Sequence, residues 1–191
     1  MIQGTHYNEQ NFGKWDYQDL DYILLSHILE KVNGQSYETL FNDMYVYPLK
    51  LKHTDFVWAD QQKLKEIDFL FNVQNIDLNA MHGLLGAGRV AMSNDDLYKV
   101  SLDLLNGKPL SSQNKDIIYA PENNTSHYRG GLYTKNNHYE SNGNGYGYCN
   151  FLRISKDGQN AVILQSTDSS RYGDLSNSAD KIYADLFGKW D

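Results

Sequence analysis

The sequence has one cysteine, Cys149, and only three prolines among its 191 residues. A single cysteine excludes an intramolecular disulfide and any metal site built from several thiolates. Acidic residues outnumber basic ones by 24 to 17, which gives a net charge of −7. This balance argues against nucleic-acid binding, because no basic stripe is present to neutralise phosphates. No apolar run approaches the ~20 residues of a membrane-spanning helix. What is left is a globular chain that is long enough to bury a core.

Helical patterns fill the first half of the chain. Apolar residues recur at helical spacing from Leu20 to Val32, and Gly34 supplies a stop. A second helix is predicted from Ser36 to about Val46, ended by Pro48. Ser93 caps a third helix that ends at Gly107.

Short aromatic and β-branched runs fill the second half, from Gly130 onward. Asp157-Gly158 lies between two of these runs and predicts a hairpin. A closing helix is expected from about Ser178. Helices, then an antiparallel meander, then a helix is an α+β order. We expect one domain over residues 1–191, since no repeat or linker interrupts the chain.

Three stretches carry a family resemblance: YQDLDYILLSHILEKVNGQSYETLFNDMYVYPLKLKHTDF (17–56), GAGRVAMSNDDLYKVSLDLLNGKPLS (86–111) and SNGNGYGYCNFLRISKDGQNAVILQST (141–167). The most specific part is Glu30-Lys31-Val32-Asn33-Gly34 followed by the Pro48 to Thr54 segment. Together they resemble the serine β-lactamase and penicillin-binding-protein-like family, in the branch of class C β-lactamases, D-alanyl-D-alanine carboxypeptidases and related esterases. The resemblance covers most of the chain from about Phe12 and implies a β-lactamase-like fold that is incomplete at its N-terminal side.

The resemblance also implies site residues. In the family a tyrosine acts as general acid or base beside a nucleophilic serine, and a Lys-Thr-Gly or His-x-Gly strand holds the substrate carboxylate. The corresponding expected catalytic residues are Tyr17 and Asp19, and the expected substrate-binding residues are Ser141, Asn142, Gly143 and Tyr148. Asp19 replaces an asparagine, and Ser141 replaces the cation of the strand motif. With an anion gained and a cation lost, carboxylate-bearing substrates should bind poorly.

The family's nucleophile motif, Ser-x-x-Lys, belongs well before the tyrosine, where this chain has about sixteen residues. Two matches occur later in the chain, at Ser112 to Lys115 and Ser178 to Lys181. Their order is wrong for the family, and we interpret both as helix-start serines with solvated lysines. The first hypothesis is therefore the C-terminal part of a serine hydrolase that acts on D-Ala peptides, β-lactams or esters. As this chain alone it is expected to be inactive, with no cofactor and no metal.

The second hypothesis is a non-catalytic binding module. It would use the same cleft, lined by Tyr17, Tyr146 and Tyr148, to hold a cell-wall fragment or a protein partner. Either hypothesis implies a peptidoglycan-type or D-Ala-containing ligand. Intact relatives are mostly extracytoplasmic, while the compartment of this chain is left open because the sequence shows no signal peptide.

The resemblance also predicts an exposed sheet edge. In the resembled fold the last strand, here within 159–167, pairs with strands of an N-terminal segment. Without such a segment that strand has one free row of N–H and C=O groups, and apolar core surface is uncovered. A homodimer formed through this strand is one expected outcome.

Overall fold

The computed structural model describes residues 9–59, 77–107, 109–119 and 128–188. Seven α-helices lie in these ranges: α1 (Asp19–Asn33), α2 (Tyr37–Phe41), α3 (Tyr47–Leu49), α4 (Leu78–His82), α5 (Asn94–Asn106), α6 (Ser112–Tyr119) and α7 (Tyr172–Phe187). A π-helical turn, Asn42–Val46, joins α2 to α3, and 3₁₀ turns lie at Glu9–Asn11 and Ser169–Arg171.

Two antiparallel sheets complete the described chain. The small sheet pairs β1 (Thr54–Phe56) with β2 (Val90–Met92). The main sheet is a meander of neighbouring strands, β3 (Tyr128–Arg129), β4 (Leu132–Thr134), β5 (His138–Gly145), β6 (Tyr148–Ser155) and β7 (Ala161–Ser166). This order confirms the predicted α+β class with a meander followed by a helix.

Several predicted boundaries shift. The helix expected to end at Pro48 continues to Leu49, because Pro48 lies in the first turn of α3, where its missing N–H is not needed. The closing helix begins at Tyr172, so Ser178 lies inside it and donates a hydrogen bond to the Asp174 carbonyl at 2.8 Å. The predicted Asp157-Gly158 hairpin is confirmed, with Gly158 at φ 74°.

The core of the main sheet lies under α7. Phe151 and Cys149 from β6 and Val162 from β7 pack against Ala179 and Tyr183 of the helix. Phe151 and Ala179 have no exposed surface. Since side chains alternate along a strand, the other face of β7 is turned toward α5 and β2. There the Gln165 side chain donates to the Met92 carbonyl at 3.1 Å.

Helix α1 begins and ends as predicted, but its apolar stripe does not face a core. Leu24, Leu25, Ile28 and Leu29 are 39–55% exposed, and Val32 is 77% exposed. The helix instead packs through Ser26, whose hydroxyl donates to the Leu85 carbonyl at 3.0 Å. The backbones approach so closely here that a Cβ on Gly86 would meet the Tyr22 carbonyl at 2.6 Å. The described residues therefore cover the side of α1 that carries Ser26. They leave exposed the leucine face, which is formed by Leu24, Leu25, Ile28, Leu29 and Val32.

Among the described strands, β7 lies at one edge of the main sheet, as the sequence predicts, and β3 lies at the other. The Ser155 N–H donates to the Asn160 carbonyl at 2.8 Å, so the alternation of the ladder turns the backbone groups of Ile163 and Gln165 outward. The edge is partly occupied, because the Asn94 side chain donates to the Ile163 carbonyl at 3.3 Å. The N-terminus of α5 thus protects a strand that would otherwise invite pairing.

Across the described ranges, none of the helices combines the length and apolar character needed to cross a bilayer.

Candidate active site

One large cleft, of about 1490 Å³, opens between the start of α1, the loop before β2 and strands β5 and β6. All six predicted site residues line it: Tyr17, Asp19, Ser141, Asn142, Gly143 and Tyr148. Two of them precede the main sheet by more than a hundred positions, so the fold brings together residues that the sequence keeps far apart.

Tyr17 begins a row of tyrosines along one wall. Its ring centroid lies 5.7 Å from that of Tyr128, which in turn lies 4.6 Å from Tyr133 and 6.5 Å from Tyr22. These edge-on and tilted pairs add to the stability of the wall beyond simple burial. Sequence reasoning missed Tyr22, Tyr128 and Tyr133, because aromatic residues in a helix or strand are as typical of a core as of a ligand site.

The electrostatics of the wall favour protonated tyrosines. Burial, followed by the negative charge of Asp19, raises the pKa of Tyr17 above its usual value. Burial and a hydrogen bond with Tyr22 raise the pKa of Tyr128. At neutral pH Tyr17 is therefore a phenol, which can donate a hydrogen bond or a proton but is a poor base as it stands.

Asp19 lies at the first turn of α1, exposed to solvent. A helix N-terminus favours a carboxylate, because the first N–H groups of the helix have no partners within it. Within the described ranges no Lys, Arg or His forms an ion pair with Asp19. Its charge is therefore available to a cationic ligand group next to Tyr17.

Strand β5 supplies the opposite wall. Ser141 and Gly143 alternate with Asn142, whose side-chain oxygen accepts a hydrogen bond from Arg153 at 2.7 Å. Asn142 is thereby tied into the sheet. A Cβ on Gly143 would meet the Asn150 amide at 2.4 Å, so this position has no room for a side chain unless Asn150 moves.

Arg153 is 1% exposed and connects β5 to α7. Its Nε donates to Asp180 at 2.6 Å, and its Nη2 donates to Ser176 at 3.3 Å. Glu140 approaches the same Nε at 3.9 Å and pairs with the buried His138 at 3.0 Å. Burial acts to raise the pKa of Glu140, but the His138 hydrogen bond and the nearby cations outweigh it and lower that pKa.

A buried carboxylate, that of Asp96, fixes the segment around His53, another cleft residue. Asp96 is 1% exposed and accepts hydrogen bonds from the His53 N–H at 2.7 Å and the Thr54 hydroxyl at 2.9 Å. Burial acts to raise the pKa of Asp96, but these bonds and the Lys99 ammonium outweigh it, and the pKa lies below its usual value. Asp96 therefore anchors β1 to the first turn of α5.

Neither serine of the two Ser-x-x-Lys matches lines the cleft. Ser112 starts α6. Lys115 donates a hydrogen bond to the Leu105 carbonyl of α5, so this lysine links the two helices and is not simply solvated as predicted. Ser178 is bonded within α7. The described residues contain no cluster of three or more His, Cys, Asp or Glu side chains that could hold a metal ion.

Comparison with known proteins establishes the class to which this fold and cleft belong. The family model described as Beta-lactamase matches residues 5–179. The match covers most of the sequence, so the chain belongs to the beta-lactamase family. The helices, the antiparallel sheet and the closing helix form a β-lactamase-like fold.

Two curated relatives are named as a penicillin-binding protein and a teichoic acid D-alanine hydrolase. The chain is 28% identical over 180 residues to PbpX of Bacillus subtilis, whose name describes a penicillin-binding protein; the match covers 90% of this chain and 44% of the relative. It is 26% identical over 183 residues to the teichoic acid D-alanine hydrolase of Staphylococcus aureus, covering 86% and 46%. This chain thus spans less than half the length of these relatives.

Solved structures show the same fold. FmtA from Staphylococcus aureus superposes with a TM-score of 0.78 at 22% identity, covering 96% of this chain and 53% of that one. A D-amino acid amidase from Ochrobactrum anthropi superposes with a TM-score of 0.70 at 14% identity, covering 91% and 57%. At these identities the similarity establishes architecture alone.

Proposed function

We propose that this chain forms the ligand-binding part of a β-lactamase-type hydrolase site that takes a D-alanyl ester or amide. The observation that carries the proposal is the convergence of Tyr17 and Asp19 with Ser141 and Gly143 on one cleft. These residues come from the stretches that resemble the family motifs. The names of the relatives, which include a D-alanine hydrolase, support a D-alanyl ligand.

At the end of the cleft formed by Tyr17, Asp19 and Ser141, the side chains favour an ester of D-alanine over a D-Ala-D-Ala peptide. A D-alanyl ester keeps a free ammonium group, which suits the exposed Asp19 carboxylate beside Tyr17. A peptide instead presents a carboxylate, and Ser141 offers that group a hydroxyl where the family has a cation. Ligands of this kind belong to the cell envelope, so we also propose an extracytoplasmic place of action.

The proposal assigns a role to each wall of the cleft. Tyr17, held as a phenol, donates a hydrogen bond to the ester or amide, and Asp19 orients the ammonium group. The backbone of β5 from Ser141 to Gly143 lines the other side of the bound group. Attack on the carbonyl requires an activated nucleophile, and among the described cleft residues no serine has a lysine beside it.

The ligand proposal is tested by titrating the chain with D-alanine methyl ester and following the amide resonances of the cleft by NMR. Asp19→Asn should weaken binding about two- to five-fold, the range expected for an exposed ion pair. Asp21→Asn is the matched control, since it removes the same charge from α1 outside the cleft and should leave the affinity unchanged. Equal binding by wild type and Asp19→Asn would contradict the role of Asp19.

The chemical part of the proposal predicts no covalent reaction by the chain alone. Incubation with a fluorescent penicillin should leave its intact mass unchanged, and nitrocefin should not be hydrolysed. The reason is that neither Ser112 nor Ser178 lies in the cleft. A stoichiometric acyl adduct mapped to any serine of this chain would overturn this part of the proposal.

A further inference from the structure

Arg89 is a cleft residue to which the family motifs assign no role. It lies in the glycine-rich loop between α4 and β2 and lines the cleft together with Gly86 and Gly88. Among the described residues that line the cleft, it is the one Lys or Arg. The cation that the strand motif lacks at Ser141 is therefore present elsewhere in the same cleft.

The backbone holds Arg89 in an uncommon conformation. Its φ is 71°, in the left-handed region that costs a non-glycine residue about 1–2 kcal/mol. Tyr146, across the cleft in the turn between β5 and β6, also has a positive φ, 51°. The Arg89 guanidinium carbon lies 4.7 Å from the centre of the Tyr146 ring. Two strained residues thus contact each other, and strain of this kind clusters at ligand sites.

The neighbouring turn leaves space for the guanidinium group. A Cβ built on Gly145 would lie 3.6 Å from Arg89 Nη1, an ordinary contact distance, so the guanidinium lies directly beside the turn. Stacking on the Tyr146 face fixes the plane of the group. The planar guanidinium of Arg89, with its N–H donors, is therefore held in one orientation before a ligand binds.

The hydrogen-bonding capacity of Arg89 is unused within the described structure. Its Nε is buried and has no acceptor. Asp19 and Asp95 also line the cleft, but neither forms an ion pair with Arg89 within 4 Å. An unpaired donor of a charged group is costly; an anion with two oxygens would pair with the terminal Nη donors, and with Nε once the side chain shifts to expose it.

We propose that Arg89 binds a phosphodiester of the polymer that carries the D-alanyl ester, a recognition step that rests on the proposed function. The two charges of the cleft fit the two charges of such a ligand. Asp19 at the Tyr17 end takes the ammonium of the alanyl group, and Arg89 takes the anion on the alcohol side. The proposed ligand is a polyol phosphate chain. Each of its phosphodiesters presents an oxyanion with two free oxygens, which is the group that Arg89 would recognise.

The test uses the whole 191-residue chain and unesterified poly(glycerol phosphate) as the probe. The Arg89 Nε–Hε resonance should shift in NMR spectra and saturate as the probe is added. The same resonance of Arg171, which is exposed outside the cleft, should stay in place. An unmoved Arg89 resonance would overturn the proposal.

Arg89→Gly is the decisive variant. Glycine adopts a positive φ without strain, so the variant removes the cation while keeping or raising thermal stability. We expect its affinity for the probe to fall about tenfold, the loss that follows from one or two charge-assisted hydrogen bonds. Arg171→Ala should change the affinity less than twofold. An Arg89→Gly affinity within twofold of wild type would also overturn the proposal.

Two further probes separate this inference from the proposed function. N-acetyl-D-Ala-D-Ala tests a carboxylate as the anion, and Arg89-dependent binding tighter than that of poly(glycerol phosphate) would overturn the phosphate assignment. D-alanine methyl ester has no anion, so its binding should be the same in wild type and Arg89→Gly. Failure of that ester to bind, with Arg89-dependent binding of the phosphate polymer intact, would overturn the D-alanyl function and support the Arg89 site.

Discussion

Arg153→Ala should lower the free energy of unfolding by about 1.5–3 kcal/mol, the range for a lost hydrogen bond to a charged group, because the partner Asp180 is 40% exposed and can be rehydrated. The guanidinium is 1% exposed and donates to Asp180, Asn142 and Ser176. Truncation leaves these acceptors, and the Glu140 carboxylate beside them, without their shared cation. Urea denaturation followed by far-UV circular dichroism measures the effect.

Two variants control for charge and for shape. Arg171→Ala removes an exposed arginine whose pairing with Asp174 spans 3.8 Å, and it should cost less than about 1 kcal/mol. Arg153→Lys keeps the charge but not the fork, so its stability should fall between those of wild type and Arg153→Ala. A loss for Arg153→Ala no larger than for Arg171→Ala would contradict the role of the network.

The pH dependence gives a second readout of the same network. The folded-state pKa of Glu140 is lowered, so its stabilising contribution is present above the pKa of the unfolded chain and is lost as the pH falls through the folded-state value. Arg153 is one of the groups that lower this pKa. The acid-side loss of stability should therefore be smaller in Arg153→Ala than in wild type.

The second large effect is on association. We expect the chain on its own to self-associate through the leucine face of α1, defined by Leu24, Leu25, Ile28, Leu29 and Val32. These side chains form one stripe, are 39–77% exposed and are covered by none of the described residues. A second copy offers the same stripe, so an antiparallel pairing of two α1 helices buries both. The edge of β7 is a weaker candidate, because Asn94 already occupies its central carbonyl.

Sedimentation velocity over a concentration series tests the interface. Leu25→Lys combined with Ile28→Lys should shift the chain to monomer, since both side chains are more than half exposed and the change does not disturb a core. Gln18→Lys combined with Gln35→Lys adds the same charge at exposed polar positions and should leave the association unchanged.

The β7 alternative has its own variant. Gln165→Pro removes an N–H that points to the free edge and is not part of the ladder with β6, so it blocks strand pairing at modest cost. Gln165→Ala controls for the lost contact to Met92. Monomers formed by Gln165→Pro, and not by the α1 variant, would identify β7 as the interface. A wild-type chain that stays monomeric at high concentration would contradict both.

Six of the residues that line the cleft were expected as site residues from the family resemblance. Tyr17, Asp19 and the Ser141 to Gly143 strand were predicted from motif order, and the structure places them on one cleft. Arg89, Tyr22, Tyr128 and Tyr133 were not predicted, because an arginine in a glycine-rich loop and tyrosines in a helix or a strand have no pattern that separates a ligand site from ordinary packing. Their position in the cleft is decided only when the helix, loop and strands that carry them pack together.

Some local predictions failed for the same reason. His27 lies on the apolar side of α1, where periodicity favours a core position, but it is exposed and bonded to Glu30; the buried histidine of the described ranges is His138. Helical periodicity states which residues share a face, and it does not state what lies opposite that face. The burial of Ser26 was decided by the close approach of the Leu85-Gly86 backbone.

By itself, then, the sequence determined the elements and the class: the helices ended by Gly34 and Gly107, the Asp157-Gly158 hairpin and the α+β order. These depend on capping residues, glycine conformations and periodicity, which act over a few residues. Only the tertiary structure decided which side chains carry charge into the cleft and which stripe stays open. Burial, ion pairing and pKa depend on distances between residues as far apart as Arg89 and Tyr146 or Asn142 and Arg153, and those distances are set by packing.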